Sequence, residues 1–346
     1  MNNLRSKKTI LRFLVIFFIL ITHTGYSQPP DIKNLVFEGA GIRGIAYAGV
    51  IQALEENGIA ENIEKVGGTS AGAISSLLFA LGYSSSEMDS VISNTDFEDF
   101  NDGKYFFVGG ISRTKKNYGW YRGEKFTEWL GTLIEEKTGN SETTFEELHH
   151  NGYKNLYVTA TCLNKQELVI LSNETFPKMK VKDAVRISMS IPLYFQAVFI
   201  DSLGRTYSEQ NPNNDLDLMV DGGIIGNFPI QMFDSYEIDS LNNENRVPDF
   251  KTLGVRIDSD SQIKEDSLSR NLAPYPINDF TDYISAFYII VIESLNRNNL
   301  TVEDWKRTIS VSSVGITPRI KKLTTEQKEM LYNSGKECAE NYFRKY

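Results

Sequence analysis

Ser70 lies in Gly68-Thr69-Ser70-Ala71-Gly72, a spacing that sets a serine hydroxyl between two residues that lack side chains. The run before it, Ile63 to Val66, is strand-like, and Ala71 to Leu81 reads as a buried helix. A serine on so sharp a strand-to-helix turn is exposed at the strand end beside the helix N-terminal amides, the arrangement of a nucleophile elbow. Two further glycine-rich turns follow strand-like runs. Gly39-Ala40-Gly41-Ile42-Arg43-Gly44 follows Leu35 to Glu38, and Asp221-Gly222-Gly223 follows Leu216 to Val220. In a parallel sheet all three turns would lie at the carboxyl ends of strands, the edge where ligands bind.

A serine nucleophile needs a proton acceptor. In an α/β-hydrolase the histidine comes after the acid in chain order, and no histidine occurs after His150. His149 and His150 themselves read as an exposed helix end. Asp221, followed by two glycines, is better placed. A carboxylate is a weak base at its free pKa of about 4, and burial in a dry site raises that value. The competing reading of Asp221 is a turn-capping aspartate, common before Gly-Gly.

The loop Gly39 to Gly44 has two uses as well. Its glycines would admit backbone N–H groups to a developing oxyanion, with Gly41 offering no side chain in the way. The same G-x-G-x-x-G spacing after a strand is the dinucleotide fingerprint, which wants an acidic residue about twenty positions on. Glu61 and Glu64 fall near that distance, but the strand there leads into Ser70 instead. Arg43 could stabilise charge or hold a phosphate bidentately; its other reading is a surface helix residue paired with a carboxylate.

The elements that must position these turns alternate. Helical runs are expected from about Arg43 to Asn57, Ser86 to Asn94, Glu124 to Thr138, Val181 to Met189, Phe280 to Asn296 and Thr324 to Phe343. Leu156 to Thr161 and Glu167 to Leu171 look like paired strands, Thr252 to Ile257 like another, and Asn101 to Tyr121 like a loop. Such strand–helix units imply an α/β fold, a central and largely parallel sheet between helical layers. Ahead of them, Arg5, Lys7, Lys8 and Arg12 precede the apolar run Phe13 to Ile21 and then Gly25-Tyr26-Ser27. That order is expected for a secretory signal cut after Ser27, with a periplasmic or secreted product; an uncleaved anchor is the alternative.

The 346-residue chain carries a net charge of −9, and losing the four basic residues among the first 27 would take it to −13. So acidic a chain argues against nucleic acid and against general attraction to anionic membranes. Cys162 and Cys338 would allow one disulfide on an exported chain, although Cys162 reads as a buried strand residue. Their spacing offers no metal-ligand pattern, and no cofactor is called for. Tyr105-Phe106-Phe107-Val108, with Trp120, Tyr121, Lys104, Lys115 and Lys116 nearby, could form a lid or interfacial patch; such aromatics more commonly build core.

Together the three turns, in this order, resemble the patatin-like phospholipases, serine acyl hydrolases that use a serine–aspartate dyad. The resemblance extends over about Lys33 to Ile257 and includes Gly119-Trp120-Tyr121-Arg122-Gly123, Ala184-Val185-Arg186-Ile187-Ser188 through Pro192, and Asn227-Phe228-Pro229. It implies a three-layer α/β/α fold, Ser70 as nucleophile, Asp221 as base and the Gly39 to Gly44 loop as oxyanion hole. The implied substrate is a lipid or other carboxylic ester, free or at a membrane surface, cleaved in the phospholipase A or lysophospholipase manner. The implied organisation is a signal peptide (1–27), an acyl hydrolase domain (28–260) and a helical segment (261–346) packed on the same domain. Two departures stand out: Ala40 where the family often has glycine, and Cys162 where relatives often carry aspartate. A non-catalytic lipid- or nucleotide-binding protein using the same glycine loop is the competing function.

Overall fold

The first strand is four residues of uninterrupted apolar and amide character, Asn34–Phe37, and all four are buried. Such a run, unlike an alternating one, suits a strand covered on both faces, as in parallel sheets flanked by helices. The computed structural model describes residues 31–103, 114, 116–210, 215–268, 271–297, 299–318 and 322–345. Asp31–Lys345 form one compact unit. The expected signal segment and the aromatic run 105–108, with Lys104 and Lys115, lie outside the described residues.

In chain order the strands are β1 (Asn34–Phe37), β2 (Lys65–Gly68), β3 (Gly119–Tyr121), β4 (Asn155–Cys162), β5 (Glu167–Ser172), β6 (Leu193–Phe195) and β7 (Val198–Ile200), followed by β8 (Thr206–Tyr207), β9 (Asp217–Asp221), β10 (Ser235–Ile238), β11 (Glu244–Val247), β12 (Thr252–Asp258) and β13 (Thr308–Ser312). The central sheet runs β13-β12-β1-β2-β4-β9-β7-β8, with β5 also on β4. From β13 to β4 every pairing is parallel. Helices flank this mixed, mostly parallel sheet in the three-layer α/β/α arrangement that the sequence implies.

The pairing of β9 differs from the expectation. It runs antiparallel to β4 and β7, so its turn is not at the carboxyl edge of a parallel strand. The register explains how the turn still reaches Ser70. One edge of β4 is taken along Tyr157–Cys162 by β5. The other edge is shared: β2 covers Asn155 to Val158, ending with Gly68 opposite Val158, and β9 covers Ala160 to Cys162, ending with Asp221 opposite Ala160. The two strands therefore meet head to head along β4, with Thr159 at the junction.

Other differences have local causes. The helix expected from Arg43 begins as a 3-10 turn, Gly41–Ile45, before the α-helix Ala46–Glu56, because Gly41 enters it at φ +57°. The supposed loop 101–121 ends in β3, which pairs with β6, a partner some seventy residues away that local pattern does not reveal. The segment after 260 is not helical throughout: it supplies β13 to the sheet edge, and the helix Thr325–Phe343 then packs against Ala46–Glu56. Gly49 and Gly335 permit that packing, since a Cβ on either would meet backbone of the opposing helix. Cys162 is buried in β4, and both cysteines are free thiols.

Candidate active site

Ser70 has φ 53° and ψ −120°, a backbone conformation costly for a residue with a Cβ. Its neighbours explain how the turn is held. A Cβ on Gly68 would stand 2.5 Å from the Gly72 backbone, and one on Gly72 would stand 2.5 Å from the carbonyl oxygens of Phe37 and Glu38. Both glycines are required by close approach of β1, β2 and the helix Ala71–Ala80. That helix is buried throughout and drives its N-terminus into the sheet edge.

The Ser70 side chain is 8 % exposed and Asp221 is 4 % exposed. Burial pushes the Asp221 carboxyl up to about 7, opposed by the hydrogen bond from the Gly223 N–H and by the nearby Ser70 side chain. The Gly223 N–H bond to Asp221 Oδ1 is 2.7 Å long, so Asp221 both caps its turn and faces the serine. The Ser70 hydroxyl donates its one proton to Met189 Sδ at 3.3 Å in this structure, with the Asp221 carboxyl beside it. No cation is among the groups that shift Asp221.

The loop after β1 divides into committed and uncommitted amides. The Gly39 N–H donates to the Asn227 carbonyl (2.9 Å), and the Arg43 N–H donates to the Ala40 carbonyl (3.3 Å). Those two amides hold the loop and are not available to an oxyanion. The N–H groups of Ala40, Gly41 and Ile42 have no partner among the described residues. Ala40 sits at φ −127°, where a methyl group is tolerated, and Gly41 presses on the Pro318 backbone where a Cβ would collide. Gly44 lets the loop pack on Ala71. Arg43 turns back, its Nε donating to the Ala40 carbonyl at 3.1 Å, which makes it a brace of the loop.

Ser70 opens into a pocket at this edge of the sheet. Ile42, Ile74, Ile92, Phe97, Phe100 and Phe126 are among its predominantly apolar walls. Such a cavity suits an extended hydrocarbon chain and offers a nucleotide few polar partners. Glu64, needed for the dinucleotide reading, precedes β2 at the opposite end of the sheet and pairs with Lys33 at 2.9 Å. The exposed residues His149 and His150 end the helix Phe145–His150, with His149 bonded to Asn155 at the start of β4. They are on the wrong edge to serve Ser70.

Several residues that hold the site were visible only as parts of longer stretches. Ser188 Oγ accepts the Ser70 N–H at 2.9 Å, and the Ser190 carbonyl accepts the Asp221 N–H at 3.0 Å. Both serines flank the end of the helix Val181–Ser188, which buried Arg186 ties down through Ser190 Oγ and the carbonyls of Arg122, Gly123 and Gln196. Thr69 and Thr159 share a 2.6 Å hydrogen bond at the strand junction. Asn227 Nδ2 donates to the Gly39 carbonyl at 3.2 Å, joining the aspartate turn to the glycine loop. Trp120 and Tyr121 are half-buried, and Tyr121 packs 5.0 Å from the Tyr194 ring as core.

Known proteins resemble this chain in sequence and in fold. An uncharacterized protein of Acanthamoeba polyphaga mimivirus is 28% identical over 307 residues, 88% of this chain and 91% of its own length. A protein of Invertebrate iridescent virus 6 described as a probable lipid hydrolase is 26% identical over 213 residues, 60% of this chain and 66% of its own. In fold, the chain is similar to VipD from Legionella pneumophila, with a TM-score of 0.55 at 18% identity, covering 91% of this chain and 67% of that one. Residues 35–234, which include all three glycine turns, match the family described as Patatin-like phospholipase, and the chain belongs to that family.

Proposed function

We propose that the protein is a lipid acyl hydrolase of phospholipase A or lysophospholipase type, cleaving carboxylic esters through a Ser70 acyl-enzyme with Asp221 as base. The observation that carries this reading is a strained serine brought beside a buried, cation-free aspartate at the head of an apolar pocket. Asp221 takes the Ser70 proton as Oγ bonds to the ester carbonyl carbon. The resulting oxyanion falls to the N–H groups of Ala40, Gly41 and Ile42, which need no reorganisation to receive it. Asp221 then returns the proton to the departing alkoxide, the ester C–O bond breaks, and the acyl group stays on Ser70. Water repeats the sequence: it loses a proton to Asp221, attacks the acyl carbon, and releases a fatty acid and free Ser70.

Family membership and the likeness to a probable lipid hydrolase support a lipid ester over other acyl compounds. A fluorophosphonate probe tests the serine directly. It should label Ser70 in the wild type and leave Ser70→Ala unlabelled, with mixed-lipid product analysis naming the bond cut. An unreactive Ser70 would leave a non-catalytic lipid binder in its place.

A further inference from the structure

The helix Phe280–Arg297 buries Ala286 and Ile292 yet, unlike an ordinary surface helix, is apolar on its exposed side as well. Its polar groups near the C-terminal end point inward. Glu293 lies within 3.7 Å of buried Arg256, and Arg297 pairs with Asp266 and with Glu293. Asn296 accepts the Asn227 N–H at 2.5 Å and donates to the Gly223 carbonyl at 3.3 Å, gripping the turn that carries Asp221. Outward, the described exposed residues from 283 to 295 are Tyr283, Phe287, Ile290, Val291 and Leu295, between 39 % and 62 % exposed. Their spacing forms one stripe along a helix about 27 Å long. No charge falls on that stripe among the described residues.

We propose that this stripe is a lipid-surface docking face that seats the protein on a neutral, zwitterionic bilayer; the inference rests on the lipid-ester reading above and deepens it. Three observations choose this occupant. The stripe offers an interfacial acyl region hydrocarbon and aromatic edges with no charge on it among the described residues, and an acidic chain of net charge −9 disfavours anionic surfaces. Among the described residues no helix is long and apolar enough to cross a membrane, so this one lies on the surface. Its inward side holds the Asp221 turn and reaches Asp258 at the carboxyl end of β12, the same sheet edge as Ser70. A bilayer against the stripe thus lies at the edge from which the apolar pocket takes its chain.

Co-sedimentation of the full chain with phosphatidylcholine vesicles tests this, in a Ser70→Ala background so that the lipid stays intact. Phe287→Ser, Ile290→Ser and Leu295→Ser together should weaken partitioning by about tenfold or more. In the Ser70-containing chain the same three changes should leave turnover of a soluble short-chain ester within about twofold, which also reports that the variant is folded. Unchanged partitioning, or a parent chain that does not sediment with vesicles, overturns the inference. So does conversion of a dimer to a monomer without loss of partitioning, which would make the stripe an interface between copies. Partitioning that survives these changes but vanishes on Phe17→Ser and Phe18→Ser assigns membrane contact to the N-terminal run and also overturns it. Loss of partitioning in a protein whose Ser70 proves unreactive keeps the docking face and removes the hydrolase reading.

Discussion

Asp221 and Asp304 are equally hidden from water, 4 % and 1 % exposed, yet their carboxyls are driven in opposite directions. Asp304 lies between two guanidinium groups, Arg246 and Arg307, each at 2.6 Å, and these hold it well below the usual carboxylate range. Asp221 has hydrogen bonds but no cation, and burial takes it up to about 7. Burial alone penalises the charged form, and an adjacent cation reverses the balance. Asp304 is thereby fixed as an anion that anchors β11 and β13 to the Asp234 corner. Asp221 is left able to accept a proton near neutral pH, the property a general base needs.

The largest effect should come from removing the proton acceptor. Asp221→Asn, like Ser70→Ala, should keep the fold and lower ester turnover by about a thousandfold or more. Near-normal turnover in either would place the chemistry elsewhere. At the contrasting site, Arg307→Ala leaves the buried carboxylates Asp234 and Asp304 with Arg246 as their one guanidinium partner among the described residues and should cost about 1.5–3 kcal/mol of stability in denaturant unfolding. The surviving folded fraction should retain its turnover.

Smaller effects follow from protons. The Asp221 carboxyl titrates near 4 unfolded and about 7 folded, so its contribution to stability is highest below pH 4 and declines as pH rises through 7. Asp221→Asn should therefore match the wild type in thermal unfolding at pH 4 and exceed it by about 1–3 kcal/mol at pH 8. Asp304 has the opposite sign: its pairs stabilise above the unfolded value and fail only in strong acid. In kinetics, kcat/KM should fall about tenfold per pH unit below 7, where Asp221 is protonated. Ser188→Ala, which removes the acceptor for the Ser70 N–H, should cost about tenfold in kcat with little change in KM.

Much of the site was legible because tight turns are local. Gly68, Ser70 and Gly72 are adjacent in sequence, and the steric demands that select them act over a few ångströms. Boundaries of amphipathic or buried helices such as Glu124–Thr138 were readable for the same reason. Pairings between distant strands were less so. β3 with β6, the antiparallel entry of β9 and the addition of β13 each depend on partners far away in the chain. The commitment of the Gly39 and Arg43 amides was hidden too, since any residue in the loop has an N–H and only its neighbours decide which are used.

By itself the sequence determined the candidate site residues, their order and the turns that present them, because backbone sterics near glycine and helix starts are short-range. Tertiary structure alone decided that β2 and β9 meet head to head on β4, bringing Ser70 and Asp221 together. It also decided that Asp221 is dry and without a cation while Asp304 has two. The physical reason is that a carboxyl's affinity for its proton is set by desolvation and charges within several ångströms in space, a neighbourhood assembled from segments far apart in the chain.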